Sequence, residues 1–337
     1  MRILITGAAG FIGHHLLEYI YLNTDWDIVC LDRLDYSGNL NRISDLNMDS
    51  VKNSKRLSIV HHDLKSAVNP MISKMIGDVD YIAHLAAGSH VDRSIDYPMD
   101  FVLDNTVGTV NIMDYARKLK SLKKFIYFST DEIFGPAPQG LSYKEYDRYN
   151  STNPYSASKA AAEELVVAYH NTYGLPAIIT HTMNVFGERQ HPEKFIPMCI
   201  KKVRDGQKVT IHSDESMKKA GSRHYIHAKD VASALLHLIN YDTVNMPIHD
   251  SGVKCQKFNI VGSKEIDNLE LAKTIALNVG KELIYEMVDF HSSRPGHDLR
   301  YALDGSRMKS IGWEPGNVMD NLCNTVYWSL RNDRWLL

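Results

Sequence analysis

Short apolar runs alternate with longer amphipathic segments along the first half of the 337-residue chain. Each run is rich in Ile, Val, Leu and Tyr, as is typical of strands that are buried on both faces of a parallel sheet. The predicted strands are residues 2–6, 27–31, 57–61, 79–84, 123–128 and 177–180. Apolar residues at helical spacing predict helices at 12–22, 101–119 and 154–173, the last of them stopped by Gly174.

Beyond about residue 185 the pattern changes, because loops lengthen, helices shorten and prolines appear. We therefore predict a doubly wound, Rossmann-type α/β parallel sheet in residues 1–184. Residues 185–337 are predicted to form a smaller α/β region beside it, with some of the chain crossing back to the sheet. The polar stretch at residues 213–222 is predicted to be a surface loop.

Charge and cysteine content narrow the possible functions. Lys and Arg number 38 against 40 Asp and Glu, and the net charge of −2 lacks the basic excess of a general nucleic-acid binder. The four cysteines form no C-x-x-C pair, so we expect neither a disulfide framework nor a metal centre. We expect a reducing, cytoplasmic compartment. No stretch approaches the roughly 18 apolar residues of a membrane span, and the first residues lack the features of a signal peptide.

A glycine-rich turn joins the first predicted strand to the first predicted helix. Residues 6–13 read Thr-Gly-Ala-Ala-Gly-Phe-Ile-Gly, which places Phe11 and Ile12 at the start of the helix, among the glycines Gly7, Gly10 and Gly13. Such glycines allow a tight turn, close approach of a pyrophosphate and close helix–strand packing, and the free N–H groups of the helix attract the anion. The motif therefore predicts a dinucleotide site.

Asp32 follows the second predicted strand and lies 19 residues after Gly13. A carboxylate in this place hydrogen-bonds the ribose 2′-hydroxyl and repels a 2′-phosphate, which favours NAD over NADP. The neighbouring Arg33 could instead receive a phosphate, so the cofactor preference stays open here. A tight turn followed by a surface aspartate is the alternative interpretation.

Tyr155 and Lys159 stand four residues apart and so share one face of a predicted helix. The ordinary pKa of a phenol is about 10. A cation about 4 Å away would lower that pKa by about 2–3 units at an effective dielectric constant of about 20. The resulting tyrosinate could take a proton from a substrate hydroxyl. A pair on a helix surface is the alternative.

Three polar residues, Thr130, Asp131 and Glu132, follow the fifth predicted strand. Ligands of open α/β sheets bind outside the carboxyl ends of the strands, where these side chains would lie. Thr130 can hydrogen-bond the reacting oxygen beside Tyr155, and repulsion between the two carboxylates can separate their pKa values into those of an acid and a base. Alternatively, Asp131 caps a following helix with Glu132 in its first turn.

Several stretches together closely resemble the nucleotide-sugar 4,6-dehydratases of the extended short-chain dehydrogenase/reductase family, and the similarity covers nearly the whole chain. They are residues 6–13, 34–40, 84–87, 89–94, 129–135, 155–160, 192–197 and 294–298. The Tyr–Lys pair is shared with the sugar 4-epimerases. The Thr-Asp-Glu triplet at residues 130–132 separates the dehydratases from those epimerases, which usually lack the carboxylate pair.

The resemblance implies conversion of dTDP-glucose or UDP-glucose to a 4-keto-6-deoxy sugar and water, a step of deoxysugar biosynthesis such as that of rhamnose. Tyr155 would deprotonate the C4 hydroxyl while the C4 hydride passes to NAD+. Glu132 would then remove the C5 proton while Asp131 protonates the departing C6 hydroxyl. Return of the hydride to C6 and of a proton to C5 regenerates NAD+, so the cofactor is expected to stay bound through turnover.

The resemblance also implies contacts with both ligands, by position in the motifs. Contacts with NAD are expected at Gly7, Gly10, Phe11, Ile12, Gly13, Asp32, Asp35, Gly38, Asn39, Asp63, Leu64, Leu85, Ala86, Ala87, Thr106, Tyr155 and Lys159. Contacts with the nucleotide-diphosphate hexose are expected at Ser89, Thr130, Asn184, Glu193, Lys194, Arg223, Asn259, Arg294 and His297. The two arginines suit a diphosphate, since a guanidinium pairs with phosphate oxygens through two hydrogen bonds, and ordinary surface arginines are the alternative.

The chain departs from these relatives on the nucleotide-sugar side. Gly88 stands where relatives carry Glu. Residues 181–188 read His-Thr-Met-Asn-Val-Phe-Gly-Glu, where relatives have Arg-Cys-Ser-Asn-Asn-Tyr-Gly-Pro. Residues 224–227 read His-Tyr-Ile-His, where relatives have Asp-Trp-Leu-Tyr. The base, thymine or uracil, and the hexose therefore stay open. A nucleotide-sugar 4-epimerase or decarboxylase of the same fold, and a non-catalytic NAD-binding regulator, are the alternative functions.

A second copy of the chain is the expected protein partner. The predicted helices at residues 101–119 and 154–173 resemble the pair that forms a four-helix dimer interface in this family. The resemblance therefore implies a homodimer, while the composition predicts no nucleic-acid or membrane partner.

Overall fold

A seven-stranded parallel sheet forms the centre of the computed structural model, which describes residues 1–35, 37–46, 55–243, 246, 249, 252–289 and 299–337. Its strands are β1 (Arg2–Thr6), β2 (Asp27–Asp32), β3 (Leu57–His61), β4 (Tyr81–His84), β5 (Lys124–Thr130), β6 (Ala177–Thr182) and β11 (Gln256–Ile260). Their order across the sheet is β11-β6-β5-β4-β1-β2-β3, and all neighbours are parallel. The predicted Rossmann-type α/β fold is confirmed.

Short strands pair two by two outside this sheet. They are β7 (Val185–Phe186), β8 (Val209–Ser213), β9 (Ser222–Arg223), β10 (Ile226–His227), β12 (Ile266–Asp267) and β13 (Tyr285–Asp289). The stretch predicted as a surface loop begins at the end of β8 and ends at the start of β9, and its residues 215–219 are exposed.

Helices cover both faces of the central sheet. They are α1 (Phe11–Asn23), α2 (Asn41–Ser44), α3 (Pro70–Ile76), α4 (Val91–Asp96), α5 (Pro98–Phe101), α6 (Gly108–Ala116), α7 (Pro154–Tyr173), α8 (Phe195–Arg204), α9 (Ala228–Asn240), α10 (Asn268–Val279), α11 (Ser306–Ser310) and α12 (Val318–Arg331). A π-helical turn (Val102–Val107) joins α5 to α6, and 3-10 helices lie at Asp131–Phe134 and Asp333–Leu336. In the part of the chain described here, no helix has both the length and the apolar character needed to cross a membrane.

Alternating side chains of the strands build two apolar layers, because successive residues of a strand point to opposite faces. On one face, Ile3 and Ile5 pack in a cluster with residues of α1 and α9. On the other face, Leu4 packs in a cluster with residues of α6 and α7. Burial on both faces explains why the strands are continuous apolar runs rather than alternating ones.

The predicted elements and the observed ones differ mainly at their ends. Strands β1 and β3 coincide with the prediction, whereas β5 and β6 each continue for two more residues. Helix α7 also coincides; Asn153 begins it with a capping box, and Gly174 ends it at φ 69°, in the left-handed region. The predicted helix at 101–119 is interrupted by the π-helical turn and ends at Ala116.

The later part of the chain returns to the central sheet. Strand β11 pairs with the edge strand β6, and α9 packs against α1. Helices α8, α10 and α12 share a separate apolar cluster with β8. The boundary between residues 184 and 185 stays a prediction, and the predicted crossing back corresponds to β11 and α9.

A buried ionic network ties α7 to the strands β6 and β11. The Glu163 carboxylate accepts hydrogen bonds from Lys257 Nζ at 2.9 Å and from Tyr149, and it lies 3.1 Å from His181 Nε2. Burial alone would raise the pKa of Glu163, but His181 and Lys257 hold it below its ordinary value. The ionised carboxylate is therefore the form that this network stabilises.

We expect Glu163→Gln to destabilise the fold, because it leaves the Lys257 ammonium buried without a full counter-charge. The loss in the free energy of unfolding should be about 3 kcal/mol. Urea unfolding followed by circular dichroism measures it, and Glu164→Gln, an exposed neighbour on the same helix, is the control. A Glu163→Gln protein as stable as the control would show that the network contributes little.

Candidate active site

The carboxyl ends of the central strands open into one large cavity of about 770 Å³. From β1 the strands continue through β2 to β3 at one edge of the sheet. From β4 they continue through β5 and β6 towards the other edge, so the strand order reverses between β1 and β4. Ligands of doubly wound sheets bind at such a switch point.

Most of the predicted ligand contacts meet in this cavity. Those that line it are Gly7, Gly10, Phe11, Ile12, Gly13, Asp32, Asp35, Gly38, Asp63, Leu64, Leu85, Ala86, Ala87, Ser89, Thr130, Asp131, Glu132, Tyr155, Lys159, Asn184, Glu193 and Lys194. The cavity therefore reaches from the glycine-rich turn to the Tyr–Lys pair and on to the residues that precede α8.

The glycine-rich turn is a cradle that side chains would fill. Gly7 has φ 71°, and a Cβ on it would lie 2.9 Å from the backbone of Ala86. A Cβ on Gly13 would lie 2.1 Å from the carbonyl oxygen of Gly7, so α1 packs directly on the turn. Helix α1 begins at Phe11 with its free N–H groups at this cradle. The turn thus has the shape and polarity that a dinucleotide pyrophosphate requires.

Asp32 ends β2 at the same side of the cavity. Its Oδ2 accepts a hydrogen bond from Ala9 N at 2.9 Å, and its Oδ1 accepts one from Leu34 N at 2.9 Å. A Cβ on Gly38 would approach Asp32 Oδ1 to 2.8 Å, so only glycine leaves the carboxylate accessible there. A fixed carboxylate beside the cradle fits the ribose of NAD.

Thr130, Asp131 and Glu132 stand where β5 ends, as predicted. The Thr130 hydroxyl donates to Asp131 Oδ1 at 3.1 Å and accepts from Glu132 N at 3.3 Å. Thr130, rather than Asp131, is therefore the N-cap of the following 3-10 helix. The alternative that Asp131 caps this helix is thus wrong. Asp131 is one of the residues that line the cavity.

Burial changes the protonation of the carboxyl pair. It raises the pKa of Asp131 to about 6, against the opposing charge of Arg223 and the hydrogen bond from Thr130. Burial and the neighbouring Asp131 raise the pKa of Glu132 to about 7, against a hydrogen bond from Asn153 Nδ2 at 3.1 Å. Near neutral pH the pair can therefore both hold and accept a proton, as an acid–base pair requires.

Tyr155 and Lys159 lie on the buried side of α7, but the phenol is not activated as the sequence predicted. Burial and the charge of Glu132 raise the pKa of Tyr155 above its ordinary value. The Lys159 ammonium donates to the Phe128 carbonyl at 2.8 Å instead of acting on the phenol. Burial lowers the pKa of Lys159 to about 7, so the predicted lowering of the Tyr155 pKa by this cation is wrong for this structure.

Four predicted contact residues are absent from the cavity lining: Asn39, Thr106, Arg223 and Asn259. Asn39 N donates to Ala9 O at 3.0 Å, and Thr106 Oγ1 donates to Ser158 O at 3.1 Å. The Arg223 guanidinium donates to the carbonyls of Ser222 and Leu299 and acts on Asp131 through its charge.

Asn259 is fully buried, where its amide bonds to His181 and to two backbone carbonyls. Both polar atoms of its side chain therefore have partners within the protein, and Asn259 links β11 to β6 through His181. The predicted contacts Arg294 and His297 lie outside the described residues.

Asn105 is a supporting residue that the sequence analysis did not single out. Its Nδ2 donates to Ser158 Oγ at 2.8 Å and to Gly88 O at 3.1 Å, and its Oδ1 accepts from Gly88 N at 2.7 Å. It thereby holds the cavity loop after β4 against α7, next to Lys159. Its neighbours Asp104 and Thr106 are also polar, so the sequence pattern did not distinguish Asn105 as a buried residue.

Comparison with known proteins identifies the family. The model of a family described as GDP-mannose 4,6 dehydratase matches residues 4–326. The chain belongs to the GDP-mannose 4,6 dehydratase family. The predicted family, the nucleotide-sugar 4,6-dehydratases of the short-chain dehydrogenase/reductase type, is confirmed.

Relatives that match nearly the whole of this GDP-mannose 4,6 dehydratase family member carry related names. A dTDP-glucose 4,6-dehydratase of Escherichia coli is 34% identical, over 99% of this chain and 95% of that protein. A trifunctional protein of Arabidopsis thaliana that includes UDP-glucose 4,6-dehydratase is 34% identical, over 99% of this chain and 48% of that protein.

Solved structures agree with the fold. DesIV, a dTDP-glucose 4,6-dehydratase of Streptomyces venezuelae with NAD and TYD bound, superposes with a TM-score of 0.85 at 31% identity, over 99% of this chain and 98% of that chain. A UDP-glucuronic acid 4-epimerase of Bacillus cereus has a TM-score of 0.84 at 23% identity, over 98% and 99% of the two chains, and this likeness concerns the fold alone.

Neutralising Glu132 should stabilise the folded protein at alkaline pH. Its pKa is about 7 in the fold, against about 4.3 in an unfolded chain. The folded state therefore holds an extra proton between these values, and stability falls as pH rises through this window. We expect Glu132→Gln to raise the free energy of unfolding by about 1–3 kcal/mol near pH 8 and to change it little near pH 4.

Urea unfolding of the wild-type protein and Glu132→Gln at both pH values measures this difference. The wild-type curve at each pH is the control for general effects of acid. A gain of equal size at both pH values, or a loss near pH 8, would contradict the raised pKa.

Proposed function

We propose that the chain is an NAD-dependent nucleotide-diphosphate-glucose 4,6-dehydratase, a lyase that converts dTDP-glucose or UDP-glucose to the 4-keto-6-deoxy sugar and water. The observation that carries the proposal is the carboxyl pair Asp131 and Glu132, which lines the same cavity as Tyr155 and Thr130. Loss of water from C5 and C6 needs one group that takes a proton and one that gives a proton. Epimerisation at C4 needs a group that takes and returns the proton of the C4 hydroxyl, but no acid–base pair at C5 and C6.

The names of the relatives support the substrate class. Relatives that match this chain over nearly its full length are dTDP-glucose and UDP-glucose 4,6-dehydratases. Departures such as Gly88 and residues 224–227 lie on the nucleotide-sugar side, so both bases enter the test.

When bound, NAD+ supplies the acceptor for the C4 hydride and returns that hydride to C6. The glycine cradle and Asp32 are the groups of this chain that would hold its pyrophosphate and ribose. Backbone N–H groups suit the pyrophosphate, and the fixed carboxylate suits the ribose.

Tyr155 takes the proton from the C4 hydroxyl in this proposal. Its pKa lies above the ordinary value in the structure, because burial and Glu132 disfavour the phenolate. The Thr130 hydroxyl opposes this effect by hydrogen bonding. Activation of the phenol therefore requires that binding of the ligands changes the charge around it.

In this proposal the two carboxyls take different roles, which requires that the bound ligands reverse the order of their pKa values, about 6 for Asp131 and about 7 for Glu132. Asn153 donates to Glu132 Oε2, which favours the ionised form that can accept the C5 proton. Asp131 Oδ2 is buried and has no hydrogen-bond partner among the described residues, so it can carry a proton to the C6 oxygen. The C5 proton passes to Glu132, the Asp131 proton leaves with the C6 hydroxyl as water, and Glu132 later returns a proton to C5.

Mass spectrometry of the protein incubated separately with dTDP-glucose and UDP-glucose tests the function. Loss of one water from either substrate supports the dehydratase, and the relative rates identify the base. A product of unchanged mass with inverted C4 would establish an epimerase instead, and an unchanged substrate in both incubations would contradict the proposal.

Glu132→Gln tests the mechanism, because an amide cannot accept the C5 proton. We expect this variant to lose at least about 100-fold in the rate of water loss, and to lose deuterium incorporation at C5 in D2O, while it still binds NAD+. Tyr155→Phe should lose both signals as well, because oxidation at C4 comes first. A Glu132→Gln enzyme with the wild-type rate would overturn the assigned role.

We infer that the protein is a homodimer formed through the α5–α6 and α7 region. Exposed apolar side chains lie on and beside α5: Ile95, Tyr97, Met99 and Val102 are each 41–65% exposed. On the neighbouring α7, Ala157, Ala161 and Ala168 are also exposed, at helical spacing. A second copy of these helices would cover both apolar surfaces in a four-helix arrangement.

Sedimentation velocity at micromolar concentration tests the dimer. Ala161→Arg places a large charged group among the exposed alanines of α7 and should yield a monomer, because a buried charge without a partner opposes association. Leu277→Arg, on the exposed side of α10, is the control and should remain dimeric. A wild-type monomer would contradict the inference.

We also infer a reducing compartment such as the cytoplasm. All four cysteines are free thiols, and Cys30, Cys199 and Cys255 are buried. Free cysteines persist where thiols are kept reduced.

A further inference from the structure

Arg33, which the sequence left as a candidate phosphate ligand, is already committed to carboxylates. It follows Asp32 and lines the cavity. Its Nη1 and Nη2 donate to the two carboxylate oxygens of Asp104 at 2.5 and 2.8 Å, and its Nε donates to Asp35 Oδ2 at 2.6 Å. Both ends of the guanidinium fork are thus engaged within the protein.

Asp104 also engages the second cation at this end of the cavity. Lys65 Nζ lies 3.3 Å from Asp104 Oδ1, and the Lys65 side chain lines the cavity after β3. The Asp104 side chain is only 10% exposed, whereas that of Arg33 is 26% exposed. Asp104 is therefore the shared, mostly buried partner of both cations.

We propose that Asp104 sets the preference of this site for NAD over NADP, because it occupies Arg33 and Lys65, the cations that would otherwise receive a 2′-phosphate. The inference rests on the proposed function only in that the cavity binds a nicotinamide dinucleotide. Asp104 is a positioning residue here, since it acts through the two cations.

The charges around this end of the cavity give the reason. Four carboxylates, Asp32, Asp35, Asp63 and Asp104, line it with three cations, Arg33, Lys65 and Arg42. Arg42 Nη1 donates to the carbonyls of Ala9 and Ser37, so backbone groups already engage this third cation. Asp63 also lies 3.6 Å from Arg33 Nη1. A 2′-phosphate would have to enter a site whose carboxylates outnumber its cations and whose cations are engaged within the protein, whereas the uncharged 2′-hydroxyl of NAD meets Asp32 as acceptor.

The location of Asp104 in the π-helical turn supports this positioning. The turn spans Val102–Val107 between α5 and α6, and its wider winding shifts the following residues around the helix axis. Asp104 and Asn105 come from this turn, the first contacting Arg33 and the second holding Gly88 and Ser158. The turn thus brings a carboxylate to the adenosine end of the cavity and an amide to the loop after β4.

Titration calorimetry of Asp104→Asn with NAD+ and NADP+, and with the fragments 5′-ADP and 2′,5′-ADP, tests the inference without any turnover. The protein is first freed of nucleotide that copurifies with it. We expect the ratio of the two dissociation constants to shift towards NADP+ by at least about tenfold, the effect of one freed charge-assisted contact. The affinity for NAD+ should change by less than about threefold.

Two further variants separate the ion pair from general effects. Asp100→Asn removes a carboxylate that lines the same cavity but, in the described part of the chain, forms no ion pair with Arg33; it should leave the ratio at the wild-type value. Arg33→Ala combined with Asp104→Asn should abolish most of the gain. Asp104→Ala repeats the test should the asparagine variant fold poorly.

The outcomes distinguish this inference from the proposed function. A shifted ratio supports the role of Asp104 even if no water is lost from either sugar nucleotide. An unchanged ratio in both Asp104 variants, or an equal fall in both affinities, would overturn the role while leaving the dehydratase intact. A shift of the same size in Asp100→Asn would also overturn it, because the effect would then be general charge.

Discussion

Removal of charged groups from water governs the chemistry of this cavity. It raises the pKa values of Asp131 and Glu132 towards neutrality and lowers that of Lys159, in each case as the largest single cause. Glu163 shows the opposite balance, because His181 and Lys257 surround it closely enough to overcome burial. The same helix therefore carries a carboxylate fixed in its charged form and, four residues earlier, a lysine whose charge can change. Burial with or without a partner decides which groups remain structural and which are free to exchange protons.

The central fold could be predicted from the sequence because its signals are local. Continuous apolar runs predict strands β1 and β3, and the capping residues around α7 fix both of its ends. The ends of β5 and β6 were missed because polar residues such as Thr130 and Thr182 continue the hydrogen-bonded ladder where the apolar run stops. The π-helical turn was missed because its extra residue per turn changes backbone pairing without leaving a distinct pattern of side chains.

The sequence predicts which residues line the candidate site better than it predicts the contacts that their side chains make. The residue types and spacing place the glycine turn, Asp32, Tyr155 and the carboxyl pair in one cavity. They could not show that Lys159 Nζ points to the Phe128 carbonyl, since helical spacing fixes a shared face but not the direction of a long side chain. Nor could they show that the amide of Asn259 is used up within the core, because an asparagine that binds a ligand and one that joins two strands look alike in a sequence.

The late positions of β11 and α9 in the chain affect folding during synthesis. Both are made late, yet β11 covers the edge of β6 and α9 covers the apolar side of α1. Until they emerge from the ribosome, the edge strand has unpaired backbone groups, and residues such as Leu16 and Ile20 lack the cover of α9. The nascent nucleotide-binding half is therefore prone to aggregate. It is protected only when β11, which begins about 75 residues after β6 ends, has been synthesised.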